Sequence, residues 1–187
     1  RNINADVRAN AAEAIGAIRA SGPDLLPALR QAATDADGAV RAAAVLSMVR
    51  VAAPPEVRAV LLAAMGDADP RVRSAVVRAL VPIAKDPAVA AAVVAAATDA
   101  SDAVKEQAAI AIGEAGIADP AAIQSLCQLL GDDTPEVQTA AAQALGKLGP
   151  AAKSALDTLA HLLRTGDVGL RRQVLRSLAA IDPAALL

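Results

Sequence analysis

The sequence predicts an all-α fold, an α-solenoid built as a right-handed superhelix of about five and a half antiparallel helix pairs. Three observations predict it. One helical pattern recurs six times at a near-constant interval, a second set of prolines recurs between its copies, and the 187 residues include no Phe, Tyr or Trp. Repetition at a period of roughly 20–50 residues marks stacked supersecondary units. Aromatic side chains usually fill the thick core of a compact domain, because each buries so much surface. The 55% hydrophobic fraction is instead Ala, Val, Leu and Ile, which suit thin layers between closely packed helices.

Each copy opens with a capping residue, two variable residues, an aliphatic anchor, a basic or polar residue and an Ala-rich run. The copies start at Asn4, Asp37, Asp69, Ser101, Thr134 and Asp167. Their anchors are Val7, Val40, Val72, Val104, Val137 and Leu170, spaced 33, 32, 32, 33 and 33. All six starting residues are types that accept hydrogen bonds from the orphaned N–H groups of a helix's first turn. Pro70 and Pro135 follow two of them, at the first helical position, where a missing N–H costs nothing. Between the copies, Pro23, Pro55, Pro87, Pro120, Pro150 and Pro183 each open another helical pattern. Each repeat therefore has two helices, A then B.

Positions 0, +4, +8 and +11 from each anchor are apolar in all six B helices, which is one face of an α-helix. Gly16, Gly113 and Gly146 fall at +9. Glycine inside a helix costs about 1 kcal/mol against alanine, so its recurrence predicts close approach of a neighbouring helix. The expected map is one HEAT-like array over 1–187: a B helix at 4–20, pairs at 23–52, 55–84, 87–115, 120–148 and 150–180, and a further A helix starting at 183. Neither end carries a polar cap, and the chain opens Arg1-Asn2-Ile3-Asn4 without Met. These features predict an array that continues in both directions.

Composition limits the function classes. A formal charge of −2 gives no bulk attraction to nucleic acid or anionic membrane. No apolar run is long enough to span a bilayer. The lone Cys127 forms no internal disulfide, so nothing points to an oxidising compartment, and a cytoplasmic location is weakly favoured.

The segments Asp69-Pro-Arg-Val-Arg-Ser-Ala-Val-Val-Arg-Ala-Leu and Thr134-Pro-Glu-Val-Gln-Thr-Ala-Ala-Ala-Gln-Ala-Leu-Gly resemble HEAT repeats. More narrowly, they resemble the short bacterial form found in phycobilisome-lyase-like HEAT proteins. Such armadillo-like repeats serve as scaffolds, transport factors, a few lyases and DNA-repair enzymes, so the resemblance is specific for fold rather than function. It also implies a ladder in which the residue after each anchor pairs with acidic residues of adjacent turns. Those residues are Arg8, Arg41, Arg73, Lys105, Gln138 and Arg171. Their partners would come from Asp35, Asp37, Asp67, Asp69, Asp99, Asp102, Asp132, Asp133 and Asp167. Gln138 departs from the pattern, so the ladder should weaken there.

Catalytic and metal chemistry find little support. The Asp-rich turns lack the ligand number and the glycine of a calcium loop, and capping with the ladder accounts for them. His161, four residues after Asp157, lacks a nucleophile or further ligands nearby in sequence. Cys127 sits among Leu126, Leu129 and Leu130, where a small buried hydrophobe is expected. A bilin-lyase role needs a tetrapyrrole groove and a glycosylase role a base cleft. Aromatic stacking serves both, and this chain has none. No cofactor is expected.

The expected function is a non-enzymatic scaffold that binds a protein or peptide on the concave B-helix face. Positions +2, +6 and +10 should point there, which places Leu46, Arg50, Arg78, Ile110, Lys147, Arg172 and Arg176 on it beside Glu13, Glu106 and Glu114. The mixed charge suits a protein partner better than a phosphate backbone, which wants an unbroken basic stripe. An accessory bilin-lyase-like role and a structural spacer are the alternatives. Self-association is expected through the uncapped ends or through the helix at 87–98, which is apolar all round.

Overall fold

The computed structural model describes residues 4–18, 22 and 24–186. Arg1–Ile3, 19–21, Pro23 and Leu187 lie outside the described residues, and with them the expected helix start at Pro23. Two compact units divide the chain, Arg1–Ile83 and Ala84–Leu187.

The first unit contains α1 (Ala5–Ala17), α2 (Leu25–Ala32), α3 (Gly38–Val51), α4 (Pro54–Ala64) and α5 (Pro70–Leu80), which runs into a 3-10 turn at Val81–Ile83. The B helices α1, α3 and α5 pack side by side in that order, and the A helices α2 and α4 lie against α3 and α5. In α3 the apolar spacing buries Val40, Ala44 and Met48, and in α5 it buries Val72, Val76 and Leu80. Leu29, Val57 and Leu61 close the layer from the A side. In α1 the same positions behave differently: Val7 and Ala11 are exposed and Ile15 is only half-buried. That face of α1 borders an open groove that residues of α2 also line.

The second unit contains α6 (Pro87–Ala95), α7 (Asp102–Ala115), α8 (Pro120–Leu129), α9 (Pro135–Leu148), α10 (Leu156–Thr165) and α11 (Val168–Ile181). Its B helices α7, α9 and α11 are stacked in order, with α6, α8 and α10 against them. Val104, Ala108, Ile112, Val137, Ala141, Leu145, Leu170, Val174 and Leu178 are buried from the B side, and Val89, Val93, Ile123, Leu126 and Leu159 from the A side. In α6 the buried positions are the valines Val89 and Val93, while Ala91 and Ala95 face water. An alanine surface exposes little apolar area, which reconciles an all-apolar helix with a solvated side.

Local chemistry sets the helix ends. Asn4, Asp37, Asp69 and Asp167 accept from backbone N–H groups of their own first turns. Ser101 and Thr134 hold the cap position without a side-chain cap bond. The Thr134 backbone N–H donates to Asp132 Oδ1. On the A side, Asp86 and Asp119 cap α6 and α8 just ahead of Pro87 and Pro120. Helix α7 ends at Gly116, whose φ of +67° is the left-handed conformation that glycine adopts without strain. Gly149, at φ +59°, breaks the chain after α9. Residues 149–155 then form a 3-10 turn, and the α-helix proper begins at Leu156. Among the described residues no helix is long and apolar enough to cross a membrane.

Candidate functional site

Along the B helices, position +10 is exposed in all six copies, +6 is exposed or half-buried, and +2 is half-buried except at the exposed Arg172. In the first unit Arg50 and Arg78 are exposed and Leu46 is half-buried. In the second unit Lys147, Arg172 and Arg176 are exposed and Ile110 is half-buried. Lys147 Nζ lies 3.7 Å from Glu114 Oε1 across neighbouring helices, so part of this basic charge is already met within the row. Arg172 and Arg176 share the exposed side of α11, a helix without a single acidic residue.

Beside this row runs the ladder. Arg8 donates from Nε and Nη2 to the two oxygens of Asp35, at 2.8 and 2.7 Å. Arg41 makes the same fork with Asp67, at 2.8 and 2.7 Å. Lys105 bridges Asp132, in the next turn, and Asp102 in its own helix. Each acceptor thus sits five residues before the following anchor. The cap residues do not take this role. Asp37 and Asp167 receive backbone N–H groups, and Asp69 receives the N–H and guanidinium of Arg71. These hydrogen bonds stay within their own first turns, although Asp37 still acts on Arg8 and Asp69 on Arg41 through space.

The acceptor aspartates do a second job. One oxygen of each of Asp35, Asp67, Asp99 and Asp132 accepts the N–H two residues on, which fixes the turn between the A and B helices. The cations also anchor backbone: Arg41 Nη1 donates to the carbonyl of Asp35 at 2.9 Å, and Arg73 Nη1 to that of Asp67 at 2.8 Å. Gln138 keeps this backbone contact, from its amide to the carbonyl of Asp132. It has no carboxylate ahead of it, because position −5 of the next repeat is Thr165. The neutral pair Gln138 and Thr165 interrupts the ladder. Arg171 donates only to the carbonyl of Asp167 in its own helix, at 3.4 Å.

The electrostatics follow from these contacts. The Arg8 fork and the Asp37 N–H hold the Asp35 carboxyl at about 2, and Arg71 with its backbone N–H does the same for Asp69. Arg41 lowers Asp67, and Lys105 lowers Asp132 and Asp102. Such shifts at a structural ladder mark ion pairing rather than acid–base chemistry.

At the +9 glycines the helices meet almost backbone to backbone. A Cβ on Gly16 would stand 2.9 Å from Ser47 Cα, one on Gly113 2.8 Å from Ala144 Cα, and one on Gly146 3.0 Å from Ser177 Cα. Ser177 is buried and its hydroxyl donates to the Ala142 carbonyl across the seam, at 2.6 Å. The sequence revealed the +9 glycines; the small partner at +7 of the next helix is legible only once the stacking is known.

The remaining polar groups stand apart. His161 is exposed, and its Nδ1 lies 3.4 Å from Arg164 Nη2 rather than against Asp157. Cys127 is half-buried, and burial pushes its thiol up. Among the described residues no cluster of three or more His, Cys, Asp or Glu is placed to hold a metal ion. A groove of about 670 Å³ in the first unit is lined by Val7, Ala11, Ile15, Leu29, Ala32 and Val40, with the paired Arg8 and Asp35 at its rim. Gln31 and Thr34 also line it.

Comparison with solved structures places this architecture among HEAT/armadillo-like α-solenoids. An engineered protein is similar at 22% identity and TM-score 0.69, with 97% of this chain and 93% of that chain covered. A designed armadillo repeat protein in complex with the peptide (KR)4 is similar at 19% and 0.63, with 92% of each chain covered. The complex of CpcE and CpcF of phycocyanin lyase from Nostoc sp. PCC7120 is similar at 25% and 0.63, covering 97% of this chain and 73% of that chain. Among curated proteins no sequence matches. A family model described as HEAT repeats matches residues 2–80, 48–113 and 90–180, which is nearly the whole chain. With six anchors in register, stacked helix pairs and a cation–carboxylate ladder, the chain belongs to the HEAT-repeat family.

Proposed function

We propose that the chain is a non-enzymatic scaffold that binds a protein or peptide along the exposed row of its B helices. The observation that carries this reading is the row itself. Its +10 positions are exposed and its +6 positions exposed or half-buried, carrying Arg50, Arg78 and Arg176 beside the half-buried Leu46 and Ile110, with the exposed Arg172 at +2. Large cations next to part-covered aliphatics can supply both the orientation and the apolar anchor that peptide recognition needs. The designed armadillo neighbour is in complex with a peptide, which supports peptide binding by a fold of this kind.

The test is selection from a displayed random-peptide library, followed by affinity measurement on two variants. Leu46→Ala with Arg78→Ala should weaken peptides selected on the first unit. Arg172→Glu with Arg176→Glu should weaken those selected on the second by at least tenfold. Selected peptides that bind both variants as tightly as the parent chain would refute the reading.

A second reading rests on the similarity to the CpcE–CpcF complex, at 25% identity over 97% of this chain. It makes the chain an accessory, bilin-lyase-like protein acting on a pigment–protein complex. Titration with a free bilin separates the two: a saturable change in bilin absorbance supports the lyase-like role, and an unchanged spectrum removes it.

A further inference from the structure

The seam between α3 and α5 carries charge that the first unit does not answer. Five arginines lie on these two helices, and neither helix contains an Asp or Glu. Three of the five are held: Arg41 forks with Asp67, Arg71 pairs with Asp69, and Arg73 donates to the carbonyl of Asp67. Arg50 and Arg78 differ. Both are exposed, and among the described residues no hydrogen bond or ion pair reaches either guanidinium. No acid stands three or four residues away along the chain, where a local helical partner would sit. The second unit treats the same row otherwise, since Glu114 and Lys147 at +10 lie 3.7 Å apart and answer each other.

The two arginines frame a small, partly apolar surface. Arg50 is at +10 of α3 and Arg78 at +6 of α5. The half-buried Leu46 lies one turn before Arg50, at the same +6 position as Arg78, and the half-buried Ala42 and Ser74 continue the row at +2. Helices α3 and α5 pack directly on each other. Packed helices lie about 8–10 Å apart, which sets the spacing at which their two arginines leave the backbone. A polyproline II peptide rises about 3.1 Å per residue and repeats its face every third residue, so carboxylates at i and i+3 stand about 9 Å apart on one side. Each carboxylate can take the bidentate fork of a guanidinium.

Resting on the reading of the B-helix row as a peptide-binding face, we propose that the first unit takes an acidic, extended peptide there. Two carboxylates three residues apart sit on Arg50 and Arg78, and the apolar residues between them lie over Leu46. Charge complementarity selects this class of partner, because the seam offers two cations and no acid of its own. A phosphate backbone fits less well. Glu13 shares the +6 row with Leu46 and Arg78 and breaks the run of positive charge that such a backbone needs.

Titration of the full chain with the blocked peptide Gly-Glu-Pro-Pro-Glu-Gly, followed through the arginine Nε–Hε resonances, tests this. The signals of Arg50 and Arg78 should move saturably, and they should stay in place with a control peptide that has Gln at both Glu positions. Arg50→Ala or Arg78→Ala should each weaken binding about threefold while keeping the helical circular dichroism of the parent, since both residues are exposed. Arg50→Glu with Arg78→Glu should lose the acidic peptide and bind its counterpart with Lys at both Glu positions. Equal binding of the Gln control, acidic binding that survives the double reversal, no exchange of preference, or tighter binding of an oligothymidylate at these arginines would each overturn the proposal. Library-selected peptides that map to Leu46 and Arg78 without acidic residues would overturn the acidic class and leave the scaffold reading standing. Selected peptides that perturb only the A helices would overturn both.

Discussion

At Gly16, Gly113 and Gly146 the neighbouring helix leaves no room for a methyl group. A Cβ on Gly113 would stand 2.8 Å from the Ala144 backbone, a position that cannot shift as a flexible side chain can. Alanine gains about 1 kcal/mol of helix propensity over glycine, while overpacking a tight seam costs about 1–3 kcal/mol. Gly113→Ala is therefore expected to destabilise by about 1 kcal/mol in urea titration; a stabilised variant would show the seam to be loose. The ladder gives a second test at this scale. Gln138 faces Thr165 where Arg41 faces Asp67. Gln138→Arg with Thr165→Asp should add a rung, worth up to about 1 kcal/mol for a largely exposed pair, with little gain from either change alone. Additive single effects would mean that no rung had formed. The cations at +1 were legible in the sequence. Their acceptors were not separable there, because each turn offers Asp35 beside Asp37 or Asp67 beside Asp69, and only geometry assigns one to the ladder and the other to the cap.

Helices and turns respond to pH through those same carboxylates. Asp35 and Asp69 are held at about 2, below an ordinary value of 3.8, and Asp67, Asp102 and Asp132 are lowered too. A depressed carboxyl contributes stability that is fully present above its unfolded value and is lost as pH falls through its folded value. Thermal midpoints should therefore stay flat from neutral pH to about 5 and fall between about pH 4 and 2. Asp67→Asn should shrink that fall, since its carboxylate both forks with Arg41 and pins its own turn. A midpoint that drops equally in parent and variant would place the acid sensitivity elsewhere. The caps are weaker points: Asp167→Ala removes the bond to the Leu170 N–H and should cost about 1 kcal/mol. Element order was readable from two interleaved markers, the caps and the prolines. The exceptions are Ser101 and Thr134, which hold the cap position without a side-chain cap bond, and Gly149, whose positive φ starts the 3-10 turn.

For the whole molecule, the periodic sequence specifies stacking far more strongly than it specifies a partner. The anchors recur in all six copies, the +9 glycine in three and the ladder pairs in several, because neighbouring B helices within each unit meet in the same way. The exposed row does not repeat: Arg50, Arg78, Glu114 and Lys147 share one class of position and differ in charge or in their neighbours. That irregularity is what a surface free of packing constraints allows, and it is why a partner's chemistry is harder to read than the fold. The most direct test of partner binding along the B helices is hydrogen exchange combined with amide chemical-shift mapping, on the chain with and without a peptide selected against it. The account predicts that shifts and added protection concentrate at Leu46, Arg50 and Arg78 in the first unit, or at Ile110, Lys147, Arg172 and Arg176 in the second. Perturbation confined to the A helices α2, α4, α6, α8 and α10, with the B-helix row unchanged, would contradict it.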